Sequence, residues 1–161
     1  MNRNFLRADE LVPIVKDHKS QNRKIVFTNG VFDLIHLGHV TYLLKAKSLG
    51  DILIVGINTD SSVQRIKGPL KPIIPLEERA EMLLALSCVD YVSFFDEDTP
   101  LKIIQCLQPD ILVKGGDWTV DKIVGADLVK GWGGEVHTIT IVEGRSTTNL
   151  IQLIRDRYAH C

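Results

Sequence analysis

The sequence predicts an α/β domain built on a parallel β-sheet. Short apolar runs alternate with helical patterns along the whole 161-residue chain, and repeated strand–helix–strand units imply parallel strands joined by right-handed crossovers. The strand candidates are apolar almost throughout, as expected when both faces of a sheet are covered. A chain of this length can form one domain with a sizeable core.

Five strands and six helices are predicted. The strands are expected at residues 24–28, 52–57, 91–95, 111–114 and 136–141, and the helices at about 8–19, 40–49, 76–87, 100–107, 120–131 and 147–157. Gly50 follows the second helix, where a left-handed residue commonly ends a helix. Thr99 and Pro100 supply an N-cap and a first-turn proline for the fourth helix.

Composition and charge exclude several classes of protein. The chain is 45% hydrophobic with a net charge of -1, so no overall field attracts nucleic acid or a membrane surface. Its apolar runs are too short to span a bilayer, and residues 1–5 do not resemble a signal peptide. Three cysteines, Cys88, Cys106 and Cys161, form no C-x-x-C pair, which is typical of free thiols in a reducing compartment. We expect a cytoplasmic protein with neither nucleic acid nor membrane as a partner.

The most informative segment is 30–39, which joins the first strand to the second helix. A helix start binds anions because its first N–H groups are unpaired and the helix dipole is positive there. His36 and His39 are three residues apart and lie on one side of the emerging helix. Gly38 between them lets a phosphate approach the backbone. We favour phosphate chemistry, with a metal site or two structural histidines as the alternatives; no third metal ligand lies nearby in the sequence.

This segment, strand–G-x-F-D-x-x-H-x-G-H–helix, resembles the nucleotidyltransferase superfamily that includes the cytidylyltransferases. The resemblance covers residues 24–157. Its second element is the hydroxyl-rich turn at 142–148, in which Arg145 stands where cytidylyltransferases carry isoleucine. That difference weighs against cytidine specificity.

A closer resemblance is to the D-glycero-D-manno-heptose 1-phosphate adenylyltransferases, through the segments 28–33, 113–118, 124–127 and 142–148. It implies a single nucleotidyltransferase domain over 1–161, with a Rossmann-like doubly wound sheet of five parallel strands and helices on both faces. The implied reaction transfers AMP from ATP, with Mg²⁺, to a heptose 1-phosphate for lipopolysaccharide precursor synthesis. The resemblance further implies a homo-oligomer. The sugar kinase often fused to this activity does not fit within the chain, so a separate heptose kinase and a phosphatase would be pathway neighbours.

The turns at other strand ends offer ligand groups by their own chemistry. Ser146, Thr147 and Thr148 can cap the last helix, and the same helix end can donate to a nucleotide phosphate. Arg145 adds a fixed positive charge and can donate two hydrogen bonds to one anion. Asp117 can accept hydrogen bonds from sugar hydroxyls and Trp118 can pack on a ring, or the two simply form a tight turn with a core tryptophan.

The resemblance also implies roles for two cations. It places Lys71 in a basic loop that closes over the substrates and points Arg79 toward the phosphates. A solvated loop and a surface ion pair with Glu77 or Glu78 are the alternatives. Lys114 is either a surface lysine or a phosphate contact.

The full set of expected site residues follows, with no residue assigned as a metal ligand. The catalytic residues are His36, His39, Lys71 and Arg79. The nucleotide-binding residues are Thr28, Asn29, Gly30, Val31, Phe32, His36, Gly38, His39, Lys114, Gly116, Arg145, Ser146, Thr147 and Thr148. The sugar-phosphate-binding residues are Asp33, Lys71, Arg79, Asp117 and Trp118.

Two other functions remain open from the sequence. One is a cytidylyltransferase that acts on a small phospho-alcohol such as glycerol 3-phosphate. The other is a nucleotide-binding module without turnover, which two intact histidines argue against.

Overall fold

One sheet of five parallel strands organises the protein. The computed structural model describes residues 4–116, 119–140 and 146–159. The strand order is β3-β2-β1-β4-β5, with the strands at β1 (Ile25–Gly30), β2 (Ile52–Asn58), β3 (Tyr91–Phe95), β4 (Ile111–Gly115) and β5 (Glu135–Ile139). The predicted doubly wound α/β class is confirmed. The strand order reverses beside β1, and in such sheets the crevice at the reversal receives ligands.

Seven helices and one 3-10 turn accompany the strands within the described residues. They are α1 (Ala8–Ser20), α2 (Leu37–Lys47), α3 (Asp60–Lys67), α4 (Leu76–Leu84), α5 (Leu101–Leu107), α6 (Ala126–Gly131) and α7 (Thr147–Tyr158), with the 3-10 turn at Val120–Lys122. None of these helices is both long enough and apolar enough to cross a membrane.

Apart from shifts in where elements begin or end, two of these elements differ from the sequence prediction. The prediction of one helix over 120–131 was wrong, because the chain turns at Gly125 with φ +88°. A Cβ there would lie 2.8 Å from the Ile104 side chain, so only glycine allows this close contact. Helix α3 was not predicted because its sequence is mostly polar and buries only Ser62 and Val63.

Two apolar cores cover the two faces of the sheet. Successive residues of β1 point to opposite faces, so Val26 joins one core with Leu43 of α2, whereas Phe27 joins the other with Leu11 of α1. All four side chains are fully buried. This burial explains the nearly continuous apolar character of the strand sequences.

Three aspartates fix the amino-terminal edge of the sheet. Asp51 accepts a hydrogen bond from the Lys24 N–H at 2.7 Å and Asp110 accepts from the Ile25 N–H at 2.8 Å. Asp90 accepts from the Leu53 N–H at 2.6 Å. Each carboxylate satisfies a backbone donor where a neighbouring strand begins. The polar groups at this edge are therefore used structurally, while the carboxyl-terminal edge carries the candidate site.

Candidate active site

The turn after β1 brings the two histidines to the carboxyl-terminal edge of the sheet. Phe32 adopts a left-handed backbone with φ +49°, and its ring lies where a Cβ on Gly30 would be, at 2.9 Å. Gly30 therefore allows the chain to double back tightly after the strand. The helix begins three residues earlier than predicted, at Leu37, because His36 is its N-cap.

The two imidazoles stack on each other. Their ring centroids are 3.8 Å apart and their planes differ by 19°. The Nδ1 atom of His36 accepts from the backbone N–H of His39 at 3.4 Å. Phe32 packs against the His39 ring with a centroid distance of 5.1 Å. The cap and the aromatic contacts hold both rings in place beside the start of α2.

His39 is uncharged at neutral pH. Burial and then the neighbouring His36 lower the pKa of His39 from 6.5 to about 4, and the Leu34 backbone partly opposes the shift. The Nδ1 atom of His39 is buried and has no hydrogen-bond partner among the described residues. A neutral imidazole still donates one N–H, so the ring can bind a phosphate oxygen without first taking up a proton.

This lowered pKa predicts a pH-dependent loss of stability. Between about pH 4 and 6.5 the unfolded chain protonates its histidine whereas the folded chain does not, so the free energy of unfolding falls as pH falls through that range. Between ~pH 7.5 and ~pH 5, the melting temperature of His39→Gln should fall less than that of the wild type. His137→Gln, at a half-exposed position on β5, serves as the control. An equal decline in the wild type and the His39 variant would contradict the assigned pKa.

The histidines line the first of three adjoining clefts, here called the histidine cleft. Its volume is about 270 Å³, and its walls are Asn29, Gly30, Val31, Phe32, His36, Gly38, His39, Tyr42, Lys114, Gly115, Ser146 and Thr147. Ser146 is the N-cap of α7, and its Oγ accepts from the Asn149 N–H at 3.1 Å. The N-termini of α2 and α7 therefore face the same cleft. Two positive helix ends and several N–H and hydroxyl donors make it suited to a polyphosphate.

Two further clefts continue from this one. The lysine cleft, of about 400 Å³, shares Asn29, Gly30, Val31 and Lys114 with the histidine cleft. Its other walls are Asn58, Ile66, Lys67, Asp98, Thr99, Pro100, Lys122, Ile123 and Val124. The loop cleft, of about 320 Å³, is lined by Val31, Phe32, Asp33, His39, Lys67, Lys71, Thr147 and Thr148. The carboxyl-terminal edge thus offers room for a nucleotide and a second substrate side by side.

Ten of the expected nucleotide-binding residues meet in the histidine cleft, and Asp33, Lys71 and Thr148 meet in the loop cleft. Thr28 and Gly116 line none of the three clefts. Thr28 is fully buried and its hydroxyl bonds the Tyr42 hydroxyl at 2.5 Å. Gly116, with φ +111°, donates its N–H to Ile139 across the sheet. Asp117, Trp118 and Arg145 lie outside the described residues.

Tyr42 was missed by the sequence reasoning although it lines the histidine cleft. Its hydroxyl bonds Thr28 and donates to the Val113 carbonyl at 3.2 Å, which ties α2 to β1 and β4. Burial raises its pKa to about 12. Its spacing of three residues from His39 on one helix face was the available signal.

Arg79 is not brought to the clefts. Its side chain is fully buried and donates to the carbonyls of Val31 at 2.6 Å, Asn58 at 2.9 Å and Ile74 at 3.0 Å. It also pairs with Asp60 at 2.6 Å. The guanidinium therefore joins the turn after β1, the end of β2 and the segment before α4. Its contacts are with protein groups, in contrast to the direct phosphate contact that the resemblance implied.

Asp33 holds the same segment from the other side. Its Oδ1 accepts from the N–H groups of Ile73 and Ile74, each at 2.9 Å, and the side chain is 3% exposed. The segment from Gly68 to Ile74 carries Lys71. Asp33 thereby couples the position of the Lys71 loop to the histidine turn.

The described residues contain no group of three or more His, Cys, Asp or Glu side chains that could hold a metal ion. His36 caps α2 through its Nδ1 atom, and its ring stacks on that of His39. The donor set of the clefts is cationic and hydrogen-bond donating, which suits phosphates.

Comparison with known proteins agrees with this geometry. The sequence profile of the cytidylyltransferase-like family matches residues 27–155, most of the chain. The chain belongs to the cytidylyltransferase-like family. The predicted resemblance to the nucleotidyltransferase superfamily is thus confirmed, and the matched range contains all three clefts.

Similar proteins include two called bifunctional protein HldE. The chain is 55% identical over 150 residues to that of Syntrophotalea carbinolica and 56% identical over 145 residues to that of Citrifermentans bemidjiense. The matches cover 93% and 90% of this chain but 31% and 30% of those proteins, so the chain spans about a third of the length of these relatives. A lipopolysaccharide core biosynthesis protein of Thermoplasma volcanium is similar in structure, with a TM-score of 0.60 and 32% identity over 76% of this chain and 99% of that one.

Within this cytidylyltransferase-like site, the contacts of Asp33 predict different effects for two replacements. Asparagine keeps an oxygen that can accept from both Ile73 and Ile74, whereas alanine removes it. We expect Asp33→Asn to stay within about threefold of wild-type kcat/KM for the acceptor and Asp33→Ala to lose about tenfold or more. Steady-state kinetics of pyrophosphate release measures both. Equal losses in the two variants would indicate that the charge of Asp33 acts on the substrate directly.

Proposed function

We propose that this chain transfers AMP from ATP to D-glycero-D-manno-heptose 1-phosphate, giving ADP-heptose and pyrophosphate. The observation that carries the proposal is the convergence of two imidazoles and two helix N-termini on one cleft. Such a cleft fits the phosphates of a nucleotide, and the family is one of nucleotidyltransferases. The similarity to proteins named bifunctional protein HldE and to a lipopolysaccharide core biosynthesis protein supports a sugar phosphate as the acceptor.

In the proposed reaction, a phosphate oxygen of the sugar 1-phosphate attacks the α-phosphorus of ATP. The new P–O bond forms as the bond to the bridging oxygen of pyrophosphate breaks, and pyrophosphate leaves with that electron pair. The acceptor phosphate is already a nucleophile, so no covalent enzyme intermediate is needed. Catalysis then consists of positioning the two substrates and stabilising the charge on the five-coordinate phosphorus.

The residues divide this work by position. His36 and His39 donate hydrogen bonds to the α-phosphate and the leaving bridge, and the stacking of the two rings limits reorganisation. Ser146 and Thr147, with the N–H groups at the start of α7, bind the outer phosphates. Lys71 approaches the phosphates from the loop cleft. Arg79 and Asp33 fix the backbone on which these groups stand.

Magnesium enters as part of the MgATP substrate. The donors of the histidine cleft bind phosphate oxygens, and the described residues offer no carboxylate cluster for a resident ion. The ion is therefore expected to be held by phosphate oxygens and water. We further propose a cytoplasmic protein that self-associates, with a separate heptose kinase and a phosphatase as pathway neighbours.

Parallel assays of pyrophosphate release test the proposal. The four combinations of ATP or CTP with heptose 1-phosphate or glycerol 3-phosphate distinguish the candidate reactions. We expect turnover with ATP and heptose 1-phosphate. Preference for CTP and glycerol 3-phosphate would instead support a cytidylyltransferase, and nucleotide binding without turnover on either acceptor would support a binding module.

A further inference from the structure

Lys114 lies on the boundary between two clefts. It is the next-to-last residue of β4 and one of the walls shared by the histidine cleft and the lysine cleft. Its amine donates to the Asn29 side-chain oxygen at 3.4 Å. Among the described residues, none of the carboxylates forms an ion pair with it. A cation that is partly withdrawn from water without an acid beside it is costly, which points to an anionic ligand at this place.

The surroundings of Lys114 add positive charge. Burial lowers the pKa of Lys114, and the charge of Lys67 lowers it further. Lys67 and Lys122 line the lysine cleft with it. Asp98 is the one acid among the described wall residues, and it is already paired with Arg65 at 3.0 Å. The lysine cleft thus carries excess positive charge next to the site of transfer.

The reaction needs a cation at this boundary. The attacking phosphate and the triphosphate are both anions and must approach to bonding distance, so their repulsion opposes the encounter. Within the histidine cleft, imidazoles, hydroxyls and two helix N-termini already serve the nucleotide. The described walls of the lysine cleft include no imidazole, and its apolar side chains, Ile66, Ile123 and Val124, can cover a sugar ring.

We propose that Lys114, assisted by Lys67, binds the phosphate of the acceptor, and that the acceptor sugar occupies the lysine cleft. This inference rests on the proposed function, since it assigns the second substrate of that reaction to a place. Lys114 then neutralises the attacking phosphate at the boundary with the nucleotide. The acceptor phosphate in turn supplies an anion to an amine with which none of the described carboxylates forms an ion pair.

Kinetics of Lys114→Met test this assignment, because methionine keeps an unbranched side chain without the charge. We expect KM for the sugar 1-phosphate to rise about tenfold or more while KM for ATP changes by less than about threefold. Lys114→Arg should recover part of the loss. Lys45→Met, at an exposed position on α2 outside the clefts, is the control and should match the wild type. A rise confined to KM for ATP, or no change in either KM, would contradict the proposal.

A binding measurement separates this inference from the identity of the acceptor. Isothermal titration of inorganic phosphate into protein saturated with a non-hydrolysable ATP analogue reports the second anion site directly. Lys114→Met should bind phosphate about tenfold more weakly than the wild type, with an unchanged affinity for the analogue. No saturable phosphate binding by the wild type, or equal binding by both proteins, would overturn the assignment. If heptose 1-phosphate is not turned over but this difference persists, only the named acceptor is wrong.

Discussion

Replacement of His39 by alanine is expected to lower kcat by about a thousandfold, or ~4 kcal/mol of transition-state stabilisation. The ring stands at the start of α2 between His36 and Phe32, in the cleft assigned to the triphosphate. Its loss removes a fixed donor from the α-phosphate, where charge develops. Because His39 is neutral in the free protein, the loss reflects a missing N–H donor rather than a missing charge. Single-turnover measurement of AMP transfer isolates the chemical step.

A matched histidine variant provides the control for this prediction. His137 lies on β5 and bonds Glu135 at 2.9 Å, outside the three clefts, so His137→Ala should retain wild-type turnover. The melting temperature of His39→Ala should stay close to that of the wild type at neutral pH. Near-normal turnover in His39→Ala would remove His39 from the transfer step.

Replacement of Arg79 by alanine is expected to lower the free energy of unfolding by about 3–5 kcal/mol. The change removes the guanidinium donor from Asp60 and from the carbonyls of Val31, Asn58 and Ile74, and it opens a cavity in a fully buried place. Urea denaturation with linear extrapolation measures this loss. Arg79→Lys keeps the charge but not the planar guanidinium. Its free energy of unfolding should therefore lie between those of the wild type and Arg79→Ala.

The control for Arg79 is an arginine that pairs with acids in solvent. Arg65 bonds Asp98 and Asp96 with much of its side chain exposed, and exposed ion pairs contribute little to stability. The free energy of unfolding of Arg65→Ala should therefore stay close to that of the wild type. If Arg79→Ala keeps wild-type stability and instead raises KM for either substrate, the direct phosphate contact would be restored as the better account.

The sheet could be predicted from the sequence because buried parallel strands leave a local signal. The five apolar runs were located to within a few residues, and the histidine turn could be placed at the end of β1 from spacing and helix chemistry alone. In the same way, Gly38 marked a place where a phosphate can approach the backbone. These features depend on neighbours in the sequence.

The features that escaped prediction depend on distant contacts. The role of Arg79 is set by carbonyls of Val31 and Asn58, far from it in the chain. The break at Gly125 is set by Ile104 of another helix. The position of Lys114 on the boundary of two clefts depends on β1 and β4 being neighbours with α3 beside them. No local pattern carries such information.

Mass spectrometry of products made with ¹⁸O-labelled acceptor tests the central claim most directly. The protein is incubated with MgATP and heptose 1-phosphate whose three non-bridging phosphate oxygens carry the label. Attack by an acceptor oxygen on the α-phosphorus predicts ADP-heptose that retains all of the label and pyrophosphate that contains none. Labelled pyrophosphate, or free AMP in place of a sugar nucleotide, would contradict the account.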